Sequence, residues 1–84
     1  MPRAVVLYTK PGCHLCDEAR DLLEEIADEC DLALTSIDIT GDPDLYARYR
    51  WAIPVVVCEG QEVGRGRIAE AQLLAALRRL RSNG

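Results

Sequence analysis

The chain has 84 residues, of which 49% are hydrophobic, and it carries a net charge of −4 at pH 7. This length suits one small domain spanning residues 1–84, and an acidic chain is a poor general ligand for the phosphate backbone of nucleic acids. No apolar run approaches the roughly 20 residues that cross a bilayer, and no export-type segment begins the chain. We therefore expect a cytoplasmic protein that binds neither nucleic acid nor membrane.

The first half of the chain predicts a β-α-β unit. Residues 4–8 (AVVLY) form an apolar, β-branched run that ends at a Pro-Gly turn, which indicates a buried strand. From Leu15 to Cys30, apolar residues recur at the spacing of a helix with one buried face, and we interpret the acidic residues opposite them as a solvated surface. Residues 32–39 (LALTSIDI) alternate as a second strand does. A helical connection predicts that the two strands run parallel with a right-handed crossover.

A short helix is predicted next. Asp42 can cap a helix whose first residue is Pro43 and which reaches about Arg48. Proline suits the first helical position because its missing N–H has no partner there in any case.

The last part of the chain predicts a hairpin and a closing helix. Pro54 precedes a third strand at 55–58, a three-residue connection at 59–61 contains glycine, and an antiparallel strand follows at 62–64. Apolar residues within 68–80 then recur at helical spacing. The predicted order is β-α-β-α-β-β-α, an α/β fold with a four-stranded mixed sheet and helices on both faces.

Cys13 and Cys16 stand three positions apart where the first strand meets the first helix. Such a Cys-x-x-Cys pair can be a redox dithiol, half of a zinc site or a structural disulfide. A reducing cytosol disfavours the structural disulfide. A zinc site needs two further ligands, and the chain has one histidine and no second cysteine pair, so we expect no metal. The redox interpretation is favoured.

The predicted helix gives the two thiols different roles. Free backbone N–H groups and the helix dipole stabilise an anion at the N-terminus, which favours the Cys13 thiolate as the nucleophile. Cys16 lies about one turn inside the helix on its apolar face, so we expect it to be the more buried, resolving thiol. Lys10 adds local positive charge, whereas Asp17 and Glu18 oppose thiolate formation.

Four other residues are candidates for which the sequence leaves alternatives open. His14 either assists thiolate formation or faces solvent at the helix start. Cys30 and Cys58 fit buried positions of the helix and the third strand, and we interpret both as core thiols. Trp51 forms either a partner-docking surface or part of the core.

These features resemble the glutaredoxin-like branch of the thioredoxin superfamily. The resemblance rests on YTKPGCHLC at residues 8–16, on AIPVVV at residues 52–57 and on the order of the elements, and it covers essentially the whole chain. The pattern CHLCDEA is similar to that of small bacterial members of the family. The resemblance implies a thioredoxin-like, glutaredoxin-type fold.

The resemblance also implies roles for individual residues. The family's proline is cis and lies opposite the nucleophilic cysteine, and the backbone of the residue before it pairs with bound peptide or glutathione; Pro54 and Ile53 match. Tyr8 and Lys10 match the family's Tyr-x-Lys-x-x-Cys opening, whose lysine meets a carboxylate of glutathione. The implied catalytic residues are Cys13 and Cys16, and the implied substrate-binding residues are Tyr8, Lys10, His14, Ile53 and Pro54.

The chain departs from typical members at two places. His14-Leu15 replaces the Pro-Tyr usually found between the cysteines. The segment VGRGRIAEAQ at 63–72 replaces a Gly-Gly pair and acidic residue that hold the glutamyl end of glutathione. We interpret Arg65 and Arg67 there as solvated loop charges, with an anionic ligand as the alternative.

The function implied is that of a thiol–disulfide oxidoreductase acting on protein or glutathione mixed disulfides. No cofactor is required, glutathione is a candidate co-substrate, and the partners are disulfide-containing proteins together with glutathione or a reductase as electron donor. We expect a monomer. Three alternatives stay open: a module that holds an iron–sulfur cluster with glutathione between two subunits, a redoxin reduced directly by thioredoxin reductase, and an interaction domain whose cysteines are incidental.

Overall fold

The computed structural model describes residues 2–83, and the side chains of residues 2–80. Its strands and α-helices are β1 (Arg3–Thr9), α1 (His14–Cys30), β2 (Leu32–Asp38), α2 (Pro43–Tyr49), β3 (Val55–Cys58), β4 (Gln61–Arg65) and α3 (Glu70–Asn83). This is the predicted order. Within the described residues, no helix has the length and apolar character needed to cross a membrane.

The four strands form one mixed sheet in the order β2-β1-β3-β4. β1 pairs in parallel with β2, and β3 pairs antiparallel with both β1 and β4. The parallel pair follows from the helical connection between its strands, and the antiparallel pair follows from a tight hairpin. The predicted mixed sheet is confirmed.

The two faces of the sheet are covered differently. Val5 and Leu7 are fully buried on the face that packs against α1 and α3. Tyr8 points to the opposite face, as alternation along a strand requires, and there its ring stacks on Tyr49 of α2 with 4.6 Å between centroids. Helices therefore lie on both faces, and α2 is held against the end of β1 that leads to the cysteines.

The second strand ends one residue earlier than predicted. Asp38 accepts hydrogen bonds from the hydroxyl of Thr40 at 2.6 Å and from its backbone N–H at 2.9 Å, which closes a 3-10 turn at Ile39–Gly41. These bonds, the one from the hydroxyl first, hold the pKa of Asp38 below its usual value. Ile39 turns into the core and is fully buried. The apolar residue that suggested a longer strand thus belongs to the turn.

The hairpin connection has two residues, so the prediction of three was wrong. Gln61 pairs with Cys58 and belongs to β4, while Glu59 and Gly60 form the turn with φ of 51° and 80°. Positive φ at both positions is typical of a type I′ turn, whose twist matches that of the flanking strands. An irregular register between Val56 and Val57 then lengthens β4 beyond the predicted 62–64.

Asp42 caps α2 as predicted, and its removal should weaken the helix. The Asp42 carboxylate accepts hydrogen bonds from the backbone N–H groups of Asp44 at 2.9 Å and Leu45 at 3.2 Å. We expect Asp42→Ala to lower the free energy of unfolding by about 1 kcal/mol, because two N–H groups lose their acceptor. Urea unfolding measures this change. Asp42→Asn keeps a capping oxygen, so an equal loss in that variant would contradict the explanation.

Candidate active site

Cys13 and Cys16 form a disulfide at the junction of β1 and α1, with their Cα atoms 5.1 Å apart. Cys13 is the N-cap residue of α1 in extended conformation, and its Sγ accepts a hydrogen bond from the backbone N–H of Cys16 at 3.1 Å. Cys13 is half-buried, whereas Cys16 is fully buried. The predicted difference in burial is confirmed, and the outer sulfur sits where a helix N-terminus stabilises negative charge.

The turn before the cysteines depends on glycine. β1 ends at Thr9, which is buried. Gly12 then has a φ of +74°, a left-handed conformation that glycine adopts readily and that is strained for residues with a side chain. This turn reverses the chain so that Cys13 begins the helix. The Pro-Gly pair in the sequence thus directs the first thiol to the edge of the sheet.

The peptide bond between Ile53 and Pro54 is cis, as the resemblance implied, and it forms part of the loop that precedes β3. Tyr8 pairs with Val55, so the end of β1 and the start of β3 lie at the same edge of the sheet. The backbone N–H of Gly66 donates to the carbonyl of Pro54 at 2.8 Å and fixes the loop from the side of β4.

Only one of the backbone groups of Ile53 is free for a partner. Its N–H donates to the carbonyl of Tyr49 at 3.1 Å, at the end of α2. Its carbonyl accepts no hydrogen bond from any group in the described part of the chain. The loop therefore offers an acceptor, and no donor, at the residue before the proline.

The other predicted substrate-binding residues differ in exposure and in their neighbours. Tyr8 is half-buried in the stack described above, while Lys10 and His14 are exposed. Lys10 lines an open groove of about 310 Å³ together with residues of the turn and with Arg20 and Asp17. Arg20 is paired with Asp17 at 3.3 Å, whereas Lys10 has no ion pair with any described residue. Lys10 is thus the available cation in this groove.

Arg65 is exposed, as expected of a solvated charge, but it is paired and does not lie in a loop. It belongs to β4 and donates two hydrogen bonds, of 2.7 and 2.6 Å, to the carboxylate of Glu62. This bidentate pairing holds the pKa of Glu62 below its usual value. The pairing was missed because the extra residue in β4, which places the two side chains together, has no clear sequence signal.

Replacing Glu62 by glutamine should remove a pH-dependent part of the stability. Because Arg65 lowers the pKa of Glu62, the pair stabilises the folded protein above the usual value of 4.5, and this contribution is lost as the pH falls through the lowered pKa. We expect wild type to be slightly more stable than Glu62→Gln near pH 7, with the difference decreasing as the pH falls below 4.5 through the lowered pKa. Urea unfolding at pH 7 and at a series of acidic pH values tests this, and a difference that does not decrease in acid would contradict it.

An exposed cluster near the proline loop was left open by sequence reasoning. Trp51 is 87% exposed, so the core interpretation of this residue is wrong. The guanidinium carbon of Arg50 lies 4.5 Å from the centre of the Trp51 ring and 5.2 Å from that of Tyr46. The sequence YARYRW at 46–51 contains the pattern that could have predicted this cluster. Tyr46 and Arg50 stand four positions apart, which is the spacing of neighbours on one face of a helix.

The remaining thiols lie away from the disulfide. Cys58 is fully buried, and its burial raises the pKa of its thiol, as expected of a core thiol. Cys30 is half-buried at the edge of the core. The described residues contain no group of three or more metal-binding side chains.

Comparison with known families identifies the relatives of this arrangement. Residues 4–78 match the model of the glutaredoxin-like domain (DUF836). The chain belongs to this glutaredoxin-like family. Because the match spans both cysteines and the proline loop, the family and the fold that the sequence resemblance implied are confirmed.

Several individual proteins resemble this glutaredoxin-like chain over most of its length. An uncharacterized protein of Mycobacterium tuberculosis (strain ATCC 25618 / H37Rv) is 31% identical over an alignment of 80 positions, which covers 89% of this chain and 82% of that protein. The X-ray structure of protein XcR50 from X. campestris has a TM-score of 0.77 and 29% identity, covering 89% of this chain and 96% of that one. Thioredoxin 1 from Thermosipho africanus, with 18% identity, a TM-score of 0.70 and coverage of 96% and 99%, shows the shared fold alone.

Proposed function

We propose that this glutaredoxin-like protein is a thiol–disulfide oxidoreductase that reduces disulfides of proteins or mixed disulfides with glutathione. The observation that supports this most strongly is the Cys13–Cys16 disulfide at the helix N-terminus, with the Cys16 N–H donating to Cys13 Sγ. This geometry lets the Cys13 sulfur form a disulfide with a partner, and it lets the Cys16 sulfur then attack Cys13 and release that partner.

In the first step the reduced protein forms a mixed disulfide with its substrate. The Cys13 thiolate attacks one sulfur of the substrate disulfide, a Cys13–substrate disulfide forms, and the other substrate sulfur leaves as a thiolate that takes up a proton from water. The N–H of Cys16 and the helix dipole favour the thiolate form of Cys13 in this step.

In the second step Cys16 releases the substrate. The Cys16 thiol loses its proton to water and its sulfur attacks the Cys13 sulfur. The Cys13–substrate bond breaks, and the remaining substrate sulfur leaves as a thiolate that takes up a proton. Two electrons have then passed to the substrate, and the protein holds the Cys13–Cys16 disulfide. Full burial of Cys16 supports this order, because an external disulfide reaches the half-buried Cys13 first.

Three neighbouring groups are suited to hold the substrate during these steps. The free carbonyl of Ile53 can accept a hydrogen bond from a substrate backbone N–H, which Pro54 helps to orient opposite the thiols. Lys10 can pair with a carboxylate, and His14, which is exposed and follows Cys13 directly, can contact a bound substrate. Tyr8 acts by supporting the sheet edge through its stack with α2.

The cycle closes when two reducing equivalents return to the protein. Two molecules of a low-molecular-weight thiol such as glutathione, or one dithiol of a reductase, would reduce the Cys13–Cys16 disulfide and become oxidised themselves. Neither donor requires a cofactor bound to this chain. We propose that the protein acts as a monomer in the cytoplasm. Thiols of this kind keep cysteines reduced in that compartment.

The experiment that tests the proposal is a redox titration of the cysteine pair. The protein is equilibrated with buffers of reduced and oxidised glutathione, free thiols are trapped, and the mass is measured. We expect a reversible two-electron transition that Cys13→Ser abolishes, and a glutathione adduct on Cys13 when Cys16 is replaced by serine. Cys30→Ser is the matched control and should leave the transition unchanged.

Other outcomes would contradict the proposal. Absence of any transition over the accessible buffers would argue against a redox role. A coloured dimer with bound iron and sulfide after anaerobic purification would favour the cluster-binding alternative instead.

A further inference from the structure

A cluster of exposed side chains at the end of α2 takes no part in the exchange steps above. We call it the aromatic–arginine patch and define it as Tyr46, Arg48, Arg50 and Trp51, where α2 ends and the chain enters the proline loop. One exposed apolar side chain such as Trp51 is ordinary on a protein surface. What distinguishes this one is the arginine stacked on it and its place in the segment between α2 and the proline loop.

The patch lies at the edge of the sheet that carries the disulfide. Tyr49, within the same segment, stacks on Tyr8 at the end of β1. Trp51 also stands two positions before Ile53, whose carbonyl is free. A protein segment bound at the proline loop with its disulfide toward Cys13 would therefore pass over the patch.

The arginine geometry prepares the patch for a carboxylate. Arg50 lies within cation–π distance of both Trp51 and Tyr46. A guanidinium stacked on aromatic faces keeps its in-plane N–H donors at its edge, where they can form two parallel bonds to a carboxylate. Because the stacking already restricts the side chain, less conformational entropy is lost when a partner binds.

The charges of the patch favour a partner that carries negative charge. Arg48 and Arg50 form no ion pair with any carboxylate in the described residues, whereas Arg20 and Arg65 do. The patch is thus a site of positive charge on a protein of net charge −4. The exposed acidic face of α1 lies on the opposite side of the sheet from α2. A partner with carboxylates would be attracted to one side of the disulfide and repelled from the other.

We infer that the aromatic–arginine patch docks a protein segment that carries carboxylates and an apolar side chain next to its disulfide. The inference rests on the proposed function and names the partner class of that site. A carboxylate binds Arg50, with Arg48 adding attraction, and the apolar side chain packs on Trp51. The docked segment then presents its disulfide to Cys13.

Binding can be measured without the exchange reaction, because Trp51 is the sole tryptophan. The protein carrying both Cys13→Ser and Cys16→Ser is titrated with a short synthetic peptide that has an internal disulfide flanked by Glu-Leu-Glu. A twin peptide has Lys-Leu-Lys in the same place. We expect the acidic peptide to shift the Trp51 emission to shorter wavelength, and the basic twin to leave it unchanged at the same concentration.

Kinetics with the reduced wild-type protein give the second measurement. We expect the acidic peptide to be reduced about three- to tenfold faster than its twin at low salt, with the ratio approaching one at high salt. Arg50→Glu should reverse the preference, whereas Arg79→Glu on α3 changes the net charge equally and should preserve it. A reversal cannot arise from partial unfolding, which slows both peptides alike.

The outcomes separate this inference from the proposed function. In one outcome, the protein reduces the small neutral disulfide bis(2-hydroxyethyl) disulfide and also reduces the acidic and basic peptides at equal rates. That outcome would overturn the docking inference and leave the proposed function standing. Peptide-dependent emission shifts without reduction of any disulfide would support docking and refute the oxidoreductase function. A concentration-dependent dimer that Arg50→Glu abolishes would show that a second copy covers the patch, which would also overturn the inference.

Discussion

Replacing Cys16 by serine should arrest the protein on its substrate as a stable mixed disulfide. Cys13 still attacks, but the second thiol, with its Cα atom 5.1 Å from that of Cys13, is gone. Well-oriented intramolecular reactions have effective concentrations far above those of dissolved thiols, so we expect release of the substrate to slow by at least about a hundredfold. Intact-mass analysis after mixing the reduced variant with a disulfide peptide measures the adduct.

Two variants serve as controls for this trap. Cys13→Ser should form no adduct and should reduce no disulfide above the uncatalysed rate, because the half-buried thiol is lost and Cys16 is fully buried. Cys30→Ser should turn over as wild type does. An adduct found on Cys16 in the Cys13→Ser protein would mean that the roles assigned to the two thiols are reversed.

Leu23→Ala should produce the largest loss of stability among the changes considered. Leu23 is 1% exposed and packs in the core between α1 and the sheet. Truncating its side chain removes these contacts and leaves a cavity. Leucine-to-alanine changes at such positions cost about 3 kcal/mol. For a chain of this size the total stability is about 4 to 13 kcal/mol, so a large share would be lost.

Glu24→Ala is the matched control because it changes the next residue of the same helix on its exposed face. We expect a change within about 0.5 kcal/mol there. Urea unfolding followed by far-UV circular dichroism measures both variants. Equal losses in the two proteins would show that packing of Leu23 in the core does not govern the effect.

Two of the predicted boundaries failed for reasons that the sequence does not display. Residues 32–39 read as one strand, because an apolar Ile39 continues the alternation, yet the Thr40 hydrogen bonds to Asp38 close a turn that buries Ile39. Local hydrogen bonds from side chain to backbone compete with the strand ladder. The pairing register also decided that Gln61 belongs to β4 rather than to the turn.

The sequence by itself determined the order of the elements, the junction that carries the two cysteines and their relative burial. These features follow from local rules: the period of apolar residues, the turn at Gly12 and the cap at Asp42. A strand followed by a helix with one apolar face leaves Cys13 outside and Cys16 inside wherever the rest of the chain packs.

Only the tertiary structure decided what surrounds the disulfide. The pairing of β1 with β3 brings the start of β3, which follows the proline loop, to the end of β1, which precedes the cysteines. Within β4, Arg65 is paired with Glu62. The stack of Tyr49 on Tyr8 leaves Trp51 exposed beside that loop. Periodicity reports which face of an element is buried, but contacts between distant segments depend on strand register and side-chain packing, which no local pattern specifies.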